Sequence, residues 1–514
     1  MSSVPLLLAL LGCTCQPQAP APSDAPALPT PPRPPSITAQ PWVASGDIGP
    51  DSAVLWTWSG GLARVRAEAW QLDDPQKEIQ SRSAMIGPAS PPAAPTAHLR
   101  LEGLQPDTEY GYRVLTGDGR EAEGRLKTAP LAEDRAAVTL LVGGDLGGQG
   151  WCRPPEGYGI FQAMRGLRPD LAILNGDMIY ADGSCPPTAP DGSANVQLDE
   201  GHPQDIRGVD WTDPAATRRA LDGWWAYHRA DPQLQAFLED VPVVVQWDDH
   251  ELVNDWGGWT TWRTGDAERA GFPVAIEQAR AALLAWNPID PQATPGPVHR
   301  RLRWGQHLEL IVLDNRSFRA PNDQPDGPEK SMLGAEQLAW LLATLESSDA
   351  TWRVVSTSVP LSIPTGSEAW QRGRDGWASG TGDPGTPEGS ADGSAATGFE
   401  HELGTILGRI RELGRPGVVF VTTDVHHSRV LRYDNGGVPV TEVVSGPLRA
   451  WTGPPGPLDP SFAPVEHFSV GEVFTFARLA IEADGALTIE LHDESGAAIP
   501  GSTLLLQPGA EPPR

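Results

Sequence analysis

The chain has 514 residues, and its 38 Lys and Arg stand against 66 Asp and Glu, a net charge of −28. That balance argues against sequence-independent binding to nucleic acid or to an anionic bilayer, both of which need a basic surface. At roughly 100–200 residues per domain the length allows about two to four domains, and no apolar run approaches the ~18 residues that span a bilayer.

Residues 1–15 read as a targeting segment. Val4 to Leu11 is apolar, and Leu10-Leu11-Gly12-Cys13 resembles the bacterial lipobox, whose cysteine is lipidated and becomes the new N-terminus. No Lys or Arg precedes it, so a short, atypical secretory signal is the alternative. Residues 16–36 are mostly Pro, Ala, Ser and Thr, a composition that cannot fold and reads as a tether. The chain is therefore expected to be an exported lipoprotein, periplasmic or on the outer cell surface, touching membrane only through Cys13. An oxidising compartment favours a disulfide between Cys152 and Cys185; two separate buried thiols are the alternative.

From 37 to 130 the strands Ala53–Trp58, Arg64–Trp70 and Tyr110–Val114 alternate with period two between Gly, Pro and Asp turns. This predicts a small β-sandwich domain. Leu104-Gln105-Pro106-Asp107-Thr108-Glu109-Tyr110 resembles the corner of fibronectin type III-like modules, and no catalytic constellation is visible here.

The segment 136–510 carries the chemistry. Five apolar runs of strand length, Val138–Val142, Leu171–Leu174, Val241–Val245, Leu308–Leu313 and Val418–Val421, each end in polar residues. They lead into Gly144-Asp145-Leu146-Gly147, Asn175-Gly176-Asp177-Met178-Ile179-Tyr180, Trp247-Asp248-Asp249-His250-Glu251, Asp314-Asn315-Arg316 and Asp424-Val425-His426-His427. Unbroken apolar runs suit strands covered on both faces, and ligands of such sheets bind beyond the strands' carboxyl ends. One acid after a strand is commonly a loop residue or a helix cap; five clusters predict one crevice. Asp145, Asp177, Asp248, Asp249 and Asp424 crowded there would either raise their pKa values or bind cations. Oxygen donors with a few imidazoles suit hard or borderline ions, and two such ions can serve phosphoryl transfer.

These clusters resemble the PhoD-like alkaline phosphatase/phosphodiesterase family of metallophosphoesterases. Trp42-Val43-Ala44-Ser45-Gly46-Asp47, Trp247-Asp248-Asp249-His250-Glu251 with Asn254, Leu313-Asp314-Asn315-Arg316, Leu333–Leu341 and Asp424-Val425-His426 follow the family's order. Gly144-Asp145-Leu146-Gly147 and Gly176-Asp177-Met178-Ile179-Tyr180-Ala181-Asp182 are similar to purple acid phosphatases, in which the tyrosine ligates ferric iron. The resemblance implies an α+β fold of the α/β type, a four-layer metallophosphoesterase sandwich flanked by helices and preceded by the small sandwich. It implies Fe³⁺ held by Asp145, Asp177, Tyr180 and His426, with Asp177 bridging to a second ion. That ion, Ca²⁺ or alternatively Mn²⁺ or Zn²⁺, would be held by Asp249 and Asp424. His250 would contact phosphate and protonate the leaving group, Glu251 would orient it, and Asn254 and Arg316 would support the site or touch phosphate. Asp145 stands where the PhoD family often has cysteine, Thr423 replaces a glycine, and Ser356–Pro360 lacks a histidine that many relatives supply.

Several residues have plainer readings. Tyr180 could simply pack, Asp314 could bond Arg316 or backbone, His228 reads as structural, and His427 as either a group backing the ligands or a surface histidine. Trp247, Trp256, Trp259 and Trp262 fit either a substrate-stacking wall or core packing. Two long segments without apolar period, Asp182–Pro214 and Arg372–Gly398, read as a lid or a flexible insertion, and the second as disordered. Val470 to Leu506 returns to alternation, with Ala483-Asp484-Gly485-Ala486 as a hairpin turn.

The expected function is hydrolysis of small phosphate mono- or diesters by in-line attack of a metal-bound hydroxide. A phospholipase D-like phosphodiesterase acting on lipids or wall polymers, and a catalytically silent surface binding protein, are the alternatives. No stable nucleic-acid partner is expected, and the sequence leaves the oligomeric state open.

Overall fold

Two β-sheets, of nine and seven strands, face each other across a large body of buried apolar side chains. The computed structural model describes residues 40–61, 63–73, 80–86, 95–198, 203–257, 270–290, 298–366, 373–380 and 397–509. The targeting segment, the tether, Cys13, Trp259 and Trp262 lie outside the described residues.

In the nine-stranded sheet Val138–Gly143, Leu171–Asn175 and Val243–Gln246 lie side by side and parallel. In the seven-stranded sheet Leu308–Val312, Trp352–Ser356, Val418–Thr422 and Val440–Val444 do the same. The period of two divides each strand between two layers. Leu140, Val142, Ile173 and Val244 point inward to meet Val312, Val354, Val419 and Val443 of the other sheet. Leu141, Ala172, Leu174 and Val245 point outward, under helices Gly159–Gly166, Pro214–Arg229, Pro232–Asp240 and Phe272–Trp286. On the far side Ile311, Val355 and Phe420 pack under Gly334–Ser347 and Glu400–Leu413. Both faces of each parallel strand are covered, which is why these strands read as unbroken apolar runs. The order is helix, sheet, sheet, helix.

Two of those helices begin at an Asp-Pro pair. Asp213 accepts hydrogen bonds from the N–H groups of Ala215 and Ala216, and Asp231 from those of Gln233 and Leu234. Each proline fills the first turn, where no N–H is required.

The N-terminal strands form two layers. Ala63–Gln71, Gln80–Ile86, Glu109–Thr116 and Glu121–Lys127 make a four-stranded sheet. Trp42–Gly46, Ser52–Trp58 and Thr96–Glu102 form the other layer, and this one is not free-standing. It extends the nine-stranded sheet through a parallel pairing of Gly46 with Val243. A Cβ on Gly46 would lie 2.5 Å from the Val243 carbonyl oxygen, so only glycine permits the join. At the expected corner, the Tyr110 hydroxyl accepts a hydrogen bond from the Gln105 N–H at 2.8 Å. At the other end Thr475–Ile481, Leu487–Asp493 and Leu504–Leu506 add antiparallel strands beside Val138–Gly143, with Ile481 paired to Leu487 across the hairpin.

The described residues after Tyr180 form a wrapped loop with a 3-10 turn at Ile206–Gly208. Its Cys185 is joined to Cys152 by a disulfide with a Cα separation of 5.7 Å. Of Arg372–Gly398, the described residues 373–380 are ordered around buried Asp375 and Trp377.

The disulfide closes a loop over a separation of 33 residues. Replacing both Cys152 and Cys185 by serine is expected to cost about 3 to 4 kcal/mol of stability, read as a lower denaturation midpoint than the unreduced parent.

Candidate metal centre

Six strands deliver polar residues from their carboxyl ends to one region, and three side chains stitch the ends together. Asn175 donates from Nδ2 to the carbonyls of Thr357 (3.2 Å) and Val421 (3.3 Å), crossing from one sheet to the other. The Thr423 hydroxyl donates to the Asn175 carbonyl at 2.7 Å, so the threonine in the glycine position ties the two sheets. Glu251 accepts from the backbone N–H groups of Asp177 (3.1 Å), Met178 (2.8 Å) and Asp248 (2.8 Å). That carboxylate welds the turn after Leu171–Asn175 to the turn after Val243–Gln246.

Inside this frame the acids converge. Single carboxylate oxygens of Asp177, Asp248, Asp249 and Asp424 lie within 4.8 Å of one another, and a nitrogen of His250 lies within the same distance of Asp177 and Asp249. Asp145 adjoins the group, accepting from the Asp424 N–H at 3.2 Å. Five buried oxygens, Asp145 Oδ2, Asp177 Oδ2, Asp248 Oδ2, Asp249 Oδ1 and Asp424 Oδ2, have no hydrogen-bonding partner among the described residues. Nor do Asp145, Asp177 or Asp424 have an ion-pair partner there. Burial, then the charges of neighbouring aspartates, drives all three well above the usual carboxylate range. Burial also pushes Asp248 up to about 6, against the pull of Arg316. A buried carboxylate without a donor is costly unless a cation sits beside it. This donor set suits ions that prefer oxygen.

The backbone holds the same residues in rarely populated conformations. Asp145, Asp177, Asp424 and His426 have φ of 59°, 52°, 77° and 57°. For residues with a Cβ, left-handed geometry costs about 1–3 kcal/mol each, and such strain gathers at functional sites. Gly446 makes room beside them: a Cβ there would come within 2.7 Å of Asp145 Oδ2.

The two histidines have opposite electrostatics. His426 Nδ1 meets the Trp451 carbonyl at 2.6 Å. A carbonyl only accepts, so Nδ1 carries the proton and Nε2 presents its lone pair, here to the Tyr180 hydroxyl at 3.0 Å. Burial lowers His426 to about 4, leaving the neutral imidazole that a metal requires. His250 Nδ1 instead meets Asp182 Oδ1 at 2.6 Å. Burial alone would lower it, but the Asp182 and Asp249 charges and the Asp182 hydrogen bond outweigh that and push it up to about 10. His250 is thus a cation beside a nest of acids.

The partner of His250 is therefore Asp182 and not Glu251, whose two oxygens are taken by backbone N–H groups. Sequence adjacency suggested Glu251, but its side chain turns back under its own loop. Asp182 stood in the quoted motif without a role; its second oxygen accepts from the Asn254 N–H at 2.9 Å. Asn254 contributes that backbone group, while its side chain is exposed. Arg316 is fully buried and forms ion pairs with Asp248 (2.5 Å) and Asp375 (2.6 Å), so it supports the site from behind. Asp375, from the segment expected to be disordered, is a partner that sequence reasoning missed.

His427 is buried, not on the surface: Nδ1 meets the Val425 carbonyl and Nε2 accepts from Arg429. It directly precedes strand Ser428–Tyr433, which is paired on both sides, and the Arg429 guanidinium meets its ring. Asp314 accepts from Trp247, Ser317 and backbone N–H groups, remote from any ligand role. Trp247 and Trp256 stack edge to face in the core, so neither is a substrate wall. His228 is buried against Tyr158.

Comparison with known proteins agrees with this architecture. The PhoD-like phosphatase family matches residues 141–494, and the PhoD-like phosphatase N-terminal domain matches residues 26–130. Alkaline phosphatase D of Bacillus subtilis (strain 168) is 26% identical over 343 residues, which cover 62% of this chain and 55% of that relative's length. The solved structure of PhoD superposes with a TM-score of 0.71 at 20% identity, covering 94% of this chain and 92% of that one. A purple acid phosphatase from yellow lupin (Lupinus luteus) seeds superposes at 0.56 and 14% identity, over 91% of this chain and 74% of that one.

Carboxyl groups whose pKa is raised by folding hold more protons in the folded than in the unfolded chain, so their contribution to stability falls as pH rises. For the metal-free protein that contribution is whole below the ordinary carboxylate pKa of about 4 and is lost as pH climbs through about 6 for Asp248 and about 7 for Glu251. In chelator the melting temperature is expected to fall between pH 5 and pH 8, and saturating divalent cation to remove most of that fall. Calorimetry at both pH values checks it.

Proposed function

The chain belongs to the PhoD-like phosphatase family, and from its metal centre we propose that it is a metal-dependent hydrolase of small phosphate mono- or diesters. The observation that carries the reading is the set of five buried carboxylate oxygens without a partner, facing one protonated histidine. In this reading Asp145, Asp177, Tyr180 and His426 would hold Fe³⁺. Asp177, Asp249 and Asp424 would hold Ca²⁺, with Mn²⁺ or Zn²⁺ as alternatives. Asp248 lies in the same tight group and adds a further oxygen donor. Ions so held neutralise the oxygens of a phosphoryl group and lower the pKa of water.

The chain's own residues do the rest. The neutral Nε2 of His426 and the Tyr180 hydroxyl form one wall of the cradle. His250, held protonated by Asp182, donates to a phosphate oxygen and then to the departing alkoxide. Asp182 fixes the ring while its other oxygen is held by the Asn254 N–H, so the donor is oriented before substrate arrives. Glu251 and Arg316 keep the turns that carry the ligands in register. Export, with a lipid on Cys13 and attachment outside the cytoplasm, is part of the same proposal, and the Cys152–Cys185 disulfide supports it.

Metal-loaded protein is expected to hydrolyse an aryl phosphate monoester or the corresponding simple diester faster than a phospholipid. A preference for the phospholipid would instead select the phospholipase D-like reading. Full metal occupancy without hydrolysis of any of the three would leave a binding protein. Asp182→Asn should lower kcat by about 10- to 100-fold with metal content unchanged. Tyr180→Phe should abolish a visible absorption band if iron is the ion beside it.

A further inference from the structure

Most aromatic rings around the centre are already engaged. Tyr180 is buried between His250 and His426. Trp151 stacks edge to face on Phe474, and the Arg449 guanidinium lies over both rings, 5.4 and 5.5 Å from their centroids. Trp451 differs. It is 53% exposed, although it directly follows the strand-end turn that builds the centre.

Its backbone leaves little freedom. The Trp451 carbonyl accepts from His426 Nδ1, and its N–H donates to Gln149 Oε1 at 3.3 Å. The six-membered part of the indole lies over Gly453, where a Cβ would be 2.4 Å from the ring. The ring's outer edge therefore lies against the Gly453 backbone, and about half of the side chain remains exposed. The ring centroid is 6.1 Å from that of His426. A large flat apolar surface is held in place, uncovered, beside an imidazole of the metal centre.

We propose that Trp451 determines specificity by stacking on a planar aromatic ring in the alcohol half of the phosphate ester. The proposal rests on the phosphatase reading for the word ester, but the stacking itself is a binding property. A ring seated on Trp451 stands next to His426 while its phosphoryl group lies over the carboxylate nest. Because the Trp451 carbonyl and N–H are both engaged and the ring's edge lies against Gly453, the platform is placed before substrate arrives, which cuts the ordering cost of binding. Ring-on-ring contact of this kind contributes enough for about a tenfold preference.

The test uses metal-loaded protein and two phosphonates that cannot be hydrolysed, phenylphosphonate and the non-planar cyclohexylphosphonate, with affinities from titration calorimetry. Wild type is expected to bind phenylphosphonate about tenfold more tightly than cyclohexylphosphonate. Trp451→Ala should abolish the advantage of phenyl over cyclohexyl, and Trp451→Phe should retain most of it. A preference that survives Trp451→Ala, or no aromatic preference in wild type because the ligands bind alike or none binds, overturns the proposal. If the preference appears but no ester is hydrolysed, the stacking stands and the phosphatase reading falls.

Discussion

Mutual repulsion among buried carboxylates is the constraint around which this molecule is arranged. Asp145, Asp177, Asp248, Asp249 and Asp424 stand at the ends of strands from both sheets, and each keeps one buried oxygen without a hydrogen-bond donor. Left alone, such a cluster would protonate or push its loops apart. The surrounding structure prevents the second outcome. Asn175 and Thr423 bind the sheets to each other, and Glu251 uses both oxygens to clamp two turns. The left-handed backbones at Asp145, Asp177, Asp424 and His426 are then held by tertiary contacts that local preference would not favour.

The same frame explains why two sheets with parallel strands at their centres suit this site. Parallel strands end on a common edge, so a short turn after each brings a ligand to the same place without a long loop. The hydrophobic layer between the sheets fixes that edge, and the outer helices bury the reverse faces. A ligand displaced at one turn would require a shift in a strand packed on both sides, and close-packed interiors resist such shifts. Rigidity of the ligand positions thus follows from the apolar runs as much as from the polar residues.

What could be read from residues alone follows the same physics. Continuous apolar runs ending in acids announced Val138–Gly143, Leu171–Asn175, Val243–Gln246, Leu308–Val312 and Val418–Thr422, because burial on both faces leaves a strong local signal. Trp352–Ser356 went unannounced: its interior carries Arg353, and no acid follows it. The convergence of the five aspartates was legible, since only their spacing after strands was needed. The partner of His250 was not. Glu251 is adjacent in sequence, whereas Asp182 comes from another turn, and only the path of the loop after Tyr180 decides between them. Asp375 was hidden for a related reason: it sits between Gly373-Arg374 and Gly376-Trp377 in a stretch without apolar period, so nothing local marks it as a buried anion.

Asp375 also resolves an electrostatic puzzle. A buried arginine beside four or five aspartates would be expected to neutralise them and remove the need for cations. Arg316 instead gives a two-pronged contact to Asp375 through Nη1 (2.8 Å) and Nη2 (2.6 Å), and Arg319 adds a second pairing with the same carboxylate. Its reach to Asp248 engages only Oδ1, which also accepts from the Ser358 hydroxyl, and leaves Oδ2 free. Asp249 lies farther away, at 3.7 Å. The guanidinium therefore positions Asp248 through one oxygen and shares its charge between Asp248 and Asp375. On the opposite side Asp182 likewise balances His250 without consuming the aspartates. Each internal cation thus has an anion besides the five aspartates, Asp375 for Arg316 and Asp182 for His250, so the nest keeps five unpartnered oxygens for ions and a protonated donor can stand next to it.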